Sequence, residues 1–551
     1  MDLNTLAELL FPEIQKTPAD IFREYPPRQL PEGAKVTRFA PSPTGFVHFG
    51  GLFPTRVSER LAHQSGGCFY LRIEDTDAKR EVKGAAENLI ETLDYYGISF
   101  DEGVCVGGEK GIYGPYRQQA RAEIYQVFAK DLVRRGLAYP CFCSEDALAQ
   151  IREEQETQKA DPGYYGKWAA CRDAGLEETA ERIAQHMPFV LRFRSDGDAG
   201  KKIKFTDLVR GTMELTENDK DHVLLKSDGI PTYHFAHAVD DTLMGTTHVV
   251  RGEEWLPSLP FHLQLFRALG FRPPKYLHIS QLMKLEGNAK KKLSKRDKGV
   301  DMNFYKEKGY APECVNEYVM TLLNSNYEEW RAANPDKPFT EFPFSVKKMS
   351  VSGCLFDFDK LHDVCRNTVA RMSAREVYAA VRNWAKEYDA PFFELLSRDP
   401  AYAEAVLQIG RGTAKPRKDI AIWSEVKAYM GLFYDELFAA EDEYPVQFAR
   451  KDIKDALLRF ADSYNAADDS SVWFDKIKAI AAELGYAPEM KLYKQNPENY
   501  KGNVGDISMF LRIAVTGRKS SPDLYEVMKV LGSERVMRRI HAQADALSVT
   551  A

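Results

Sequence analysis

A histidine and two glycines follow a proline-rich turn near the start of the chain, and their spacing is suited to binding phosphate. The segment Arg38-Phe-Ala-Pro-Ser-Pro-Thr-Gly-Phe-Val-His-Phe-Gly-Gly51 begins as a strand, turns and continues into a helix. His48 and the backbone N–H groups that follow it then lie at a helix N-terminus, where partial positive charge favours phosphate. Gly50 and Gly51 have no side chains, so a nucleotide can approach the backbone closely. For this segment alone, an ordinary strand–turn–helix connection with a surface histidine is an equally good interpretation.

A second segment, Lys292-Leu-Ser-Lys-Arg296, carries positive charge that suits the cleavage of a triphosphate. Two further lysines, Lys290 and Lys291, precede it. Basic side chains on a mobile loop can neutralise the charge that develops while the bond between the α- and β-phosphates breaks. A lysine-rich run is more often a solvated surface loop, and that interpretation is favoured for this segment in isolation.

Two further polar groups follow apolar strands and are suited to the two charged ends of an amino acid. Glu74 lies in Leu71-Arg-Ile-Glu-Asp-Thr-Asp77, at the edge of a sheet where ligands bind, and its carboxylate can hold an ammonium group. Arg251 directly follows the apolar Val249-Val250, and a buried guanidinium needs an anionic partner such as a substrate carboxylate. A helix-capping cluster at Glu74 and an ion pair between Arg251 and a nearby glutamate are the structural alternatives.

The elements that must position these residues alternate between strands and helices in the first half of the chain. Apolar periodicity predicts strands over 35–39, 68–73 and around Val249-Val250, with helices after residue 48 and over about 254–269. Strands separated by helices favour parallel pairing in an α/β sheet. Residues 141–225 break this pattern and are interpreted as an insertion. An amphipathic helix is predicted over 312–324, and the chain beyond the polar segment 334–338 is almost wholly helical in pattern.

Length and composition restrict the classes of protein to which the chain can belong. Its 551 residues require several domains, and 44% hydrophobic with 28% charged residues is the balance of a globular protein. No apolar run is long enough for a bilayer, acidic residues stand where a signal peptide carries basic ones, and eight cysteines form no disulfide framework. We therefore expect a cytoplasmic protein that binds no membrane. The net charge of −6 does not exclude nucleic acid, because phosphate contacts need only a local basic face.

Taken together and in this order, the four segments resemble the class I aminoacyl-tRNA synthetases, and specifically the glutamyl-tRNA synthetases. His48-Phe-Gly-Gly51 resembles their HIGH signature, and Lys292–Arg296 resembles their KMSKS signature. Phe49 stands where the first signature has isoleucine, which changes packing more than chemistry. Gly51 replaces the second histidine, as is usual in the glutamyl branch.

The likeness to the glutamyl branch rests on stretches beyond these two signatures. RFAPSPTG and LRIEDTD are similar to that branch, as is the set formed by Tyr233, Arg251 and Glu253-Glu-Trp255. Two later stretches, VSGCLFDFDKL at 351–361 and the segment 514–540, extend the similarity over most of the chain. His237 departs from the pattern, because an asparagine is more usual at this position.

The resemblance implies a two-step reaction. Glutamate and ATP, with Mg²⁺, form glutamyl-adenylate and pyrophosphate. The glutamyl group then passes to the 2′-hydroxyl of the terminal adenosine of tRNA for glutamate, or of the tRNAs for both glutamate and glutamine. No covalent enzyme intermediate is needed, so positioning and charge stabilisation supply the rate enhancement. The implied partners are tRNA, L-glutamate and ATP, and we expect a monomer.

The resemblance also carries roles to individual residues. The implied catalytic residues are His48, Lys292 and Lys295. The implied ATP-binding residues are Thr44, Gly45, His48, Gly50, Gly51, Lys292, Ser294 and Lys295. The implied glutamate-binding residues are Arg38, Ala40, Ser42, Glu74, Tyr233, His237 and Arg251. The residues expected near the acceptor adenosine are Glu254 and Trp255. Glutamine has nearly the shape of glutamate, but in its place it would leave a buried Arg251 without an anion, which is costly.

The fold that the resemblance implies is α/β. We expect a doubly wound, parallel, Rossmann-type catalytic sheet with an inserted α/β domain, followed by an all-α anticodon-binding region. The expected divisions are an N-terminal extension at 1–34, the two halves of the catalytic domain at 35–140 and 226–275, the inserted acceptor-end-binding domain at 141–225, a stem-contact region with the KLSKR loop at 276–344, and the helical anticodon-binding region at 345–551.

Three cysteines in the insertion raise the question of a metal ion: Cys141, Cys143 and Cys171. They resemble part of the zinc-binding insertion of some relatives. Tetrahedral zinc needs four ligands, and the sequence offers only these three with Tyr165 or His186 as further candidates. Lys167 stands where those relatives place a tyrosine. Buried thiols are therefore favoured over zinc, and no metal ligand is assigned.

The alternative functions are either enzymes that catalyse a different reaction or a protein that catalyses none. A glutaminyl enzyme is disfavoured by Arg251 and by the IEDTD stretch. A short relative that attaches glutamate to tRNA bases is disfavoured by the long helical C-terminal region, and a small-molecule nucleotidyltransferase would leave that region unexplained. A catalytically inactive RNA-binding paralogue is disfavoured by the presence of the full set of residues with implied roles in catalysis and glutamate binding: His48, Lys292, Lys295, Glu74 and Arg251.

Overall fold

The structure is a computed structural model that describes residues 2–43, 45, 47–77, 82–293, 297 and 299–549. Thr44, Ser294 and Lys295, which have predicted roles, lie outside the described residues. The chain forms two compact units. The first comprises Met1–Met302 with Asn316–Asp357, and the second comprises Asn303–Val315 with Phe358–Ala551. No helix in the described part of the chain is long and apolar enough to cross a membrane.

The strands all belong to the first unit. They are β1 Val36–Phe39, β2 Cys68–Leu71, β3 Glu102–Cys105, β4 Gly108–Lys110, β5 Ala138–Cys141, β6 Val190–Phe193, β7 Lys202–Asp207, β8 Gly211–Thr216, β9 Val223–Leu225, β10 His248–Gly252, β11 Lys275–Ile279, β12 Leu282–Glu286, β13 Ala289–Lys292 and β14 Cys354–Leu355.

The helices occur in both units. They are α1 Leu3–Leu10, α2 Pro18–Glu24, α3 Phe49–His63, α4 Ala85–Tyr95, α5 Ala122–Arg134, α6 Glu145–Thr157, α7 Leu176–Ala184, α8 Tyr233–Leu243, α9 Leu259–Leu269, α10 Met302–Lys308, α11 Pro312–Leu323, α12 Tyr327–Ala333, α13 Phe358–Arg371, α14 Ala374–Tyr388, α15 Ala390–Arg398, α16 Pro400–Gln408, α17 Val426–Met430, α18 Arg450–Ser463, α19 Ser470–Glu483, α20 Met490–Gln495, α21 Val504–Thr516, α22 Leu524–Leu531 and α23 Ser533–Val549.

The central sheet is parallel except for its edge strand β4, which pairs antiparallel with β3, and its strand order reverses beside β1. β1 pairs with β2 and β2 with β3, while β10 pairs with β11, all in parallel. The Thr247 N–H donates to the Val36 carbonyl oxygen at 3.0 Å, and the Val36 N–H donates to Thr247 Oγ1 at 2.8 Å. The β10–β11 pair therefore lies beside β1, on the side opposite β2. In open α/β sheets, ligands bind outside the carboxyl ends of the strands at such a reversal.

Residues between β5 and β9 form a separate layer inserted into the parallel sheet. β5, β6 and β9 pair antiparallel, and β7 and β8 form an antiparallel hairpin from Lys202 to Thr216. In the second unit the helices α18, α21 and α23 pack on one another around fully buried Leu457, Phe510 and Ile540. The predicted fold class is confirmed: a parallel α/β sheet, an inserted α/β layer and a helical C-terminal region.

Two predicted elements end elsewhere than expected. The strand predicted over 68–73 stops at Leu71, and Ile73 makes only an isolated bridge to Arg117. The single helix predicted over about 254–269 is a 3-10 turn, Glu253–Ser258, followed by α9. Pro257 and Pro260 lack backbone N–H groups, so a continuous α-helix across this stretch would lose hydrogen bonds. The helix predicted over 312–324 is confirmed as α11.

Residues 2–34 form two short helices that pack on the rest of the first unit. α1 contacts α5 and the inserted helix α7, and α2 contacts α5. The buried ammonium of Lys130 in α5 donates to the carbonyl oxygens of Phe11 and Ile14 at 3.1 and 2.7 Å, and to Glu8 at 2.7 Å. Arg28 makes a bidentate pair with Glu102 of β3, with both distances at 2.8 Å.

Candidate active site

The carboxyl ends of β1 and β10 place two arginines at the strand-order reversal. Arg38 of β1 is 5% exposed, and its Nε lies 3.3 Å from Asp241 Oδ2. Asp241 also accepts from Arg72 Nη1 at 2.7 Å. Arg38 therefore already has a carboxylate partner within the protein. If Arg38 binds a substrate carboxylate, as predicted, it does so while it also contacts Asp241.

A cavity of about 820 Å³ opens at this edge of the sheet. Four residues with predicted roles line it: Ser42, Glu74, Tyr233 and Trp255. The Tyr233 and Trp255 rings are 4.4 Å apart between centroids, so they form one aromatic wall. Sequence reasoning did not single out several other lining residues, among them Thr76, Gln119, Lys226 and Asp228. Lys226 Nζ donates to the Thr76 carbonyl oxygen at 2.6 Å, which ties the loop after β9 to the segment after β2.

Glu74 is the buried acid of this cavity lining, whereas Asp77 and Asp228 are more exposed. Its side chain is 8% exposed and accepts from Arg72 Nη2 at 3.1 Å. Burial raises the pKa of Glu74 to about 7, although the charges of Arg72 and Arg38 oppose the rise. A carboxyl with this pKa gains a proton easily when it is unpaired and ionises fully when a cation binds beside it.

Arg251 is held by histidines. It is 6% exposed, its Nε donates to His278 Nε2 at 2.9 Å, and its Nη1 lies 3.1 Å from His262 Nδ1. Its Nη2 has no hydrogen-bond partner among the described residues. Burial raises the pKa of Tyr233, and the positive charge of Arg251 opposes this rise. The alternative of an ion pair with a nearby glutamate is not observed in the described part of the chain.

His237 is fully buried beneath these residues. Its Nδ1 lies 2.7 Å from Asp241 Oδ2, and its Nε2 lies 2.8 Å from the Tyr276 hydroxyl. Burial lowers the pKa of His237 to about 4. The ring stacks at 5.8 Å on Tyr233, so it supports the cavity wall from behind. Its predicted direct contact with glutamate stays a prediction.

A second cavity, of about 470 Å³, brings together residues from both signature segments. His48, Gly50, Glu254 and Lys292 line it. His48 caps α3, and its Nδ1 accepts from the Gly51 N–H at 3.1 Å. A side chain at position 50 would approach His48 Nδ1 to 3.0 Å, so glycine there leaves room for the imidazole. The predicted position of His48 at a helix N-terminus is confirmed.

Adjacent residues of the 3-10 turn face different cavities, because Trp255 lines the first and Glu254 the second. The two cavities are therefore neighbours across this turn. The remaining described residues with predicted roles do not line either cavity: Arg38, Ala40, Gly45, Gly51, His237 and Arg251.

The residues that hold Arg251 were not identified from the sequence. His262 lies in α9, and His278 lies within the apolar run Tyr276-Leu-His-Ile279. The available signal was a polar residue inside an otherwise apolar, buried pattern, which is also the signal of a structural histidine. Asp241, the partner of Arg38, was missed because nothing near it in sequence connects it with β1.

The three cysteines of the insertion converge. Their sulfur atoms all lie within 4.8 Å of one another, and Cys143 Sγ is 3.7 Å from Cys171 Sγ. Tetrahedral zinc with Zn–S bonds of about 2.3 Å separates sulfurs by about 3.8 Å, so this spacing suits zinc. The neighbouring phenol is Tyr164, whose hydroxyl is 3.3 Å from Cys143 Sγ. Tyr165 is directed elsewhere, because its hydroxyl donates to the Asp161 carbonyl oxygen at 2.8 Å.

Comparison with known proteins identifies the family. The model of the catalytic domain of the class I tRNA synthetases (E and Q) matches residues 35–362. The chain belongs to the class I tRNA synthetases. An anticodon-binding domain model matches residues 376–544 of this class I synthetase, within the helical second unit.

Relatives of this class I synthetase match along almost its whole length. It is 49% identical to the glutamate–tRNA ligase of Acetivibrio thermocellus, over 98% of this chain and 99% of the relative. It is 48% identical to the glutamate–tRNA ligase of Clostridium perfringens, over 98% of this chain and 100% of the relative. A crystal structure of a glutamate tRNA ligase from Elizabethkingia meningosepticum in complex with its amino acid is 27% identical. It superposes with a TM-score of 0.73 and covers 93% of this chain and 99% of that one.

Proposed function

We propose that this chain is a glutamate–tRNA ligase, which activates L-glutamate with ATP and transfers it to the terminal adenosine of tRNA. The observation that carries the proposal is the presence of two separate buried groups of opposite charge, Glu74 and Arg251, at one edge of the sheet. One offers a buried carboxyl to an ammonium group, and the other offers a buried cation whose Nη2 has no partner among the described residues. A ligand with an ammonium group at one end and a carboxylate at the other satisfies both. The high identity to glutamate–tRNA ligases supports the same reaction.

In the proposed reaction the α-carboxylate of glutamate attacks the α-phosphorus of ATP, which enters with Mg²⁺, and pyrophosphate leaves. Negative charge develops on the phosphate oxygens during this step. The amino end of α3, capped by His48, and the ammonium of Lys292 line the same cavity and stabilise that charge. Lys295, outside the described residues, is proposed to act with Lys292.

In the second step the 2′-hydroxyl of the terminal adenosine attacks the carbonyl carbon of the adenylate. The ester forms and AMP leaves, so no group remains on the enzyme. Trp255 and Glu254 lie on the turn between the two cavities, where the adenosine has to meet the adenylate. We propose that residues 141–225 bind the acceptor end, 276–344 contact the stem, and 345–551 bind the anticodon, in a protein that acts as a monomer.

Zinc is proposed as a structural ion of the insertion. Cys141, Cys143 and Cys171 would hold it, with the Tyr164 hydroxyl as the fourth donor. The ion would fix the end of β5 to the loop that carries Cys171. We expect about one zinc per chain by elemental mass spectrometry, and Cys143→Ser should release it. Metal-free protein with unchanged thermal stability would favour the interpretation as buried thiols.

The test of the proposed function is aminoacylation with radiolabelled glutamate, ATP and Mg²⁺, run in parallel on purified tRNA for glutamate and tRNA for glutamine. Charging of the first alone identifies a discriminating enzyme, and charging of both identifies a non-discriminating one. Arg251→Ala should raise the KM for glutamate about a hundredfold, because it removes a charge-assisted contact, while the KM for ATP changes little. Charging of neither tRNA would contradict the proposal.

A further inference from the structure

Arg251 donates its hydrogen bonds to an unusual pair of partners. Its Nε donates to His278 Nε2 at 2.9 Å, and its Nη1 contacts His262 Nδ1 at 3.1 Å. A guanidinium group only donates hydrogen bonds, so both of these imidazole nitrogens must be unprotonated acceptors. Among the described residues no carboxylate forms an ion pair with Arg251. This differs from Arg38, whose Nε lies 3.3 Å from Asp241 Oδ2.

The outer nitrogen of each imidazole fixes the tautomer. His278 Nδ1 carries the proton and donates to Asp207 Oδ2 at 2.7 Å. The His278 backbone N–H donates to the same oxygen at 3.0 Å, which holds the ring in place. His262 Nε2 carries the proton and donates to His234 Nδ1 at 2.8 Å. Each contact leaves the inner nitrogen as a lone-pair acceptor aimed at Arg251.

Both histidines are fully buried and uncharged at neutral pH. Burial lowers the pKa of His262 well below its usual value, and the neighbouring charge of Arg251 acts in the same direction. Burial also lowers the pKa of His278, although Asp207 opposes the change. Tyr276 completes the enclosure, because its ring lies 4.7 Å from the guanidinium carbon. Arg251 is thus fixed by three aromatic rings, none of which carries a negative charge.

We propose that His262 and His278 are specificity-determining positioning residues, which orient Arg251 through neutral acceptors and so leave its full charge for the side-chain carboxylate of the substrate. This inference rests on the proposed function. A carboxylate in either position would satisfy the same hydrogen bond but would cancel the cation. Glutamine and glutamate, which differ in charge rather than size, would then be separated less well.

The hairpin β7–β8 contributes to this arrangement from the insertion. Asp207 ends β7, is 1% exposed, and also accepts from the backbone N–H groups of Val209 and Arg210 at 2.9 and 3.0 Å. Arg210 Nε donates to the His278 carbonyl oxygen at 3.1 Å. Asp207 therefore places a negative charge behind His278, one imidazole away from Arg251. There it fixes the tautomer without contacting the guanidinium.

Matched variants separate charge from shape. The side-chain oxygen of asparagine can replace an Nδ1 acceptor, and that of glutamine can replace an Nε2 acceptor. His262→Asn and His278→Gln therefore keep a neutral acceptor, whereas His262→Asp and His278→Glu supply a charged acceptor of the same length. Aminoacylation kinetics of the full-length protein are measured for each variant with glutamate and with glutamine. Circular dichroism and thermal melts verify that each variant is folded.

We expect each acidic variant to raise the KM for glutamate about tenfold over its amide partner, and to lower the glutamate-to-glutamine ratio of kcat/KM by a similar factor. The kcat and the KM for ATP should differ by less than about twofold within a pair. Equal KM for glutamate and equal selectivity within a pair would overturn the inference. Such a result would show that the charge of the side chain at this position does not affect glutamate binding. If one position does not tolerate substitution, the pair at the other decides. A wild-type protein that charges no tRNA with glutamate would refute the proposed function, and this inference with it.

Discussion

Glu74 is a buried carboxyl whose ionisation depends on what stands beside it. Burial raises its pKa to about 7, and Arg72, Arg38 and Asp241 are the charged groups that face it. A free glutamate side chain has a pKa of about 4.3, so the substrate carboxylates stay ionised over the range in which Glu74 titrates. A pH dependence of glutamate binding near neutrality therefore reports the titration of Glu74 in the free enzyme, and not that of the substrate carboxylates.

At this residue we predict a pH dependence of glutamate binding. An ammonium group needs an ionised Glu74, so kcat/KM for glutamate should fall about tenfold per pH unit below about pH 7. Above that pH it should be flat until other groups titrate. Initial rates at subsaturating glutamate between about pH 5.5 and about pH 8 measure this, with the KM for ATP as the control. Absence of a break near neutrality, or the same break in Glu74→Gln, would contradict the assignment.

Among the elements, the start of α3 depends on two adjacent glycines in different ways. A Cβ at position 50 would come within 3.0 Å of His48 Nδ1, whereas a Cβ at position 51 would meet only Val47, at 3.9 Å. Gly50 thus leaves space for the imidazole. Gly51 supplies the N–H that the imidazole accepts, and alanine would retain that N–H.

Substitution at these two positions should separate their roles. Gly50→Ala should displace the His48 ring and lower kcat for aminoacylation about tenfold or more, whereas Gly51→Ala should have a clearly smaller effect. Steady-state kinetics on both variants, with thermal melts as a check on folding, provide the comparison. An equal loss in the two variants would indicate that close approach of the nucleotide to the backbone matters more than the position of His48.

The N-terminal helices depend on Lys130 of α5. Its ammonium is buried and donates to two carbonyl oxygens as well as to Glu8. Arg134, one turn later, is more exposed, and within the described part of the chain its side chain donates to Glu8 alone. Lys130→Met should lower the free energy of unfolding by about 2–3 kcal/mol, because it leaves the buried Ile14 carbonyl without a donor. It also removes one of the two donors to the Phe11 carbonyl, which keeps the Ile14 N–H at 3.3 Å.

Arg134→Met is the matched control for this prediction. Its ion pair with Glu8 lies at the surface, so Arg134→Met should lower the free energy of unfolding clearly less than Lys130→Met does. Denaturant unfolding of both variants, together with limited proteolysis of residues 2–34, measures the difference. Similar losses in the two variants would show that the ion pairs with Glu8, rather than the buried carbonyl contacts, hold the N-terminal helices.

For the whole molecule, the division into two units predicts two unfolding transitions. Each unit has its own buried core, and both cavities belong to the first unit. Ligands stabilise the state to which they bind. Glutamate with a non-hydrolysable ATP analogue should therefore raise the midpoint of one calorimetric transition and leave the other unchanged. A single cooperative transition that shifts as a whole would contradict independent unfolding.

Much of the site could be predicted from the sequence because its parts follow strands. Glu74 and Arg251 come directly after short apolar runs, and parallel pairing brings the ends of such runs to one edge of the sheet. His48 was placed at a helix N-terminus because glycine and proline punctuate the chain around it.

The partners of these residues could not be predicted in the same way. His262, His278 and Asp207 meet Arg251 and one another only in the folded chain, and a buried histidine in an apolar run gives no indication of what it contacts. Asp241 sits 203 residues from Arg38, the side chain it neutralises. The apolar spacing over 254–269 predicts one continuous helix, and it does not show that the chain forms a 3-10 turn up to Ser258 before α9 begins.

The position of β1 has a consequence for synthesis on the ribosome. Its neighbour on one side, β2, follows within a few tens of residues. On the other side, Val36 forms its hydrogen bonds with Thr247, which is synthesised 211 residues later. At about 5–20 residues per second, the growing chain carries this edge of β1 without its partner for roughly 10 to 40 s. An unpaired strand edge invites pairing with other chains. Newly made protein should therefore be most prone to aggregation while residues 37–247 are being translated, and chaperones that bind nascent chains should protect it most in that interval.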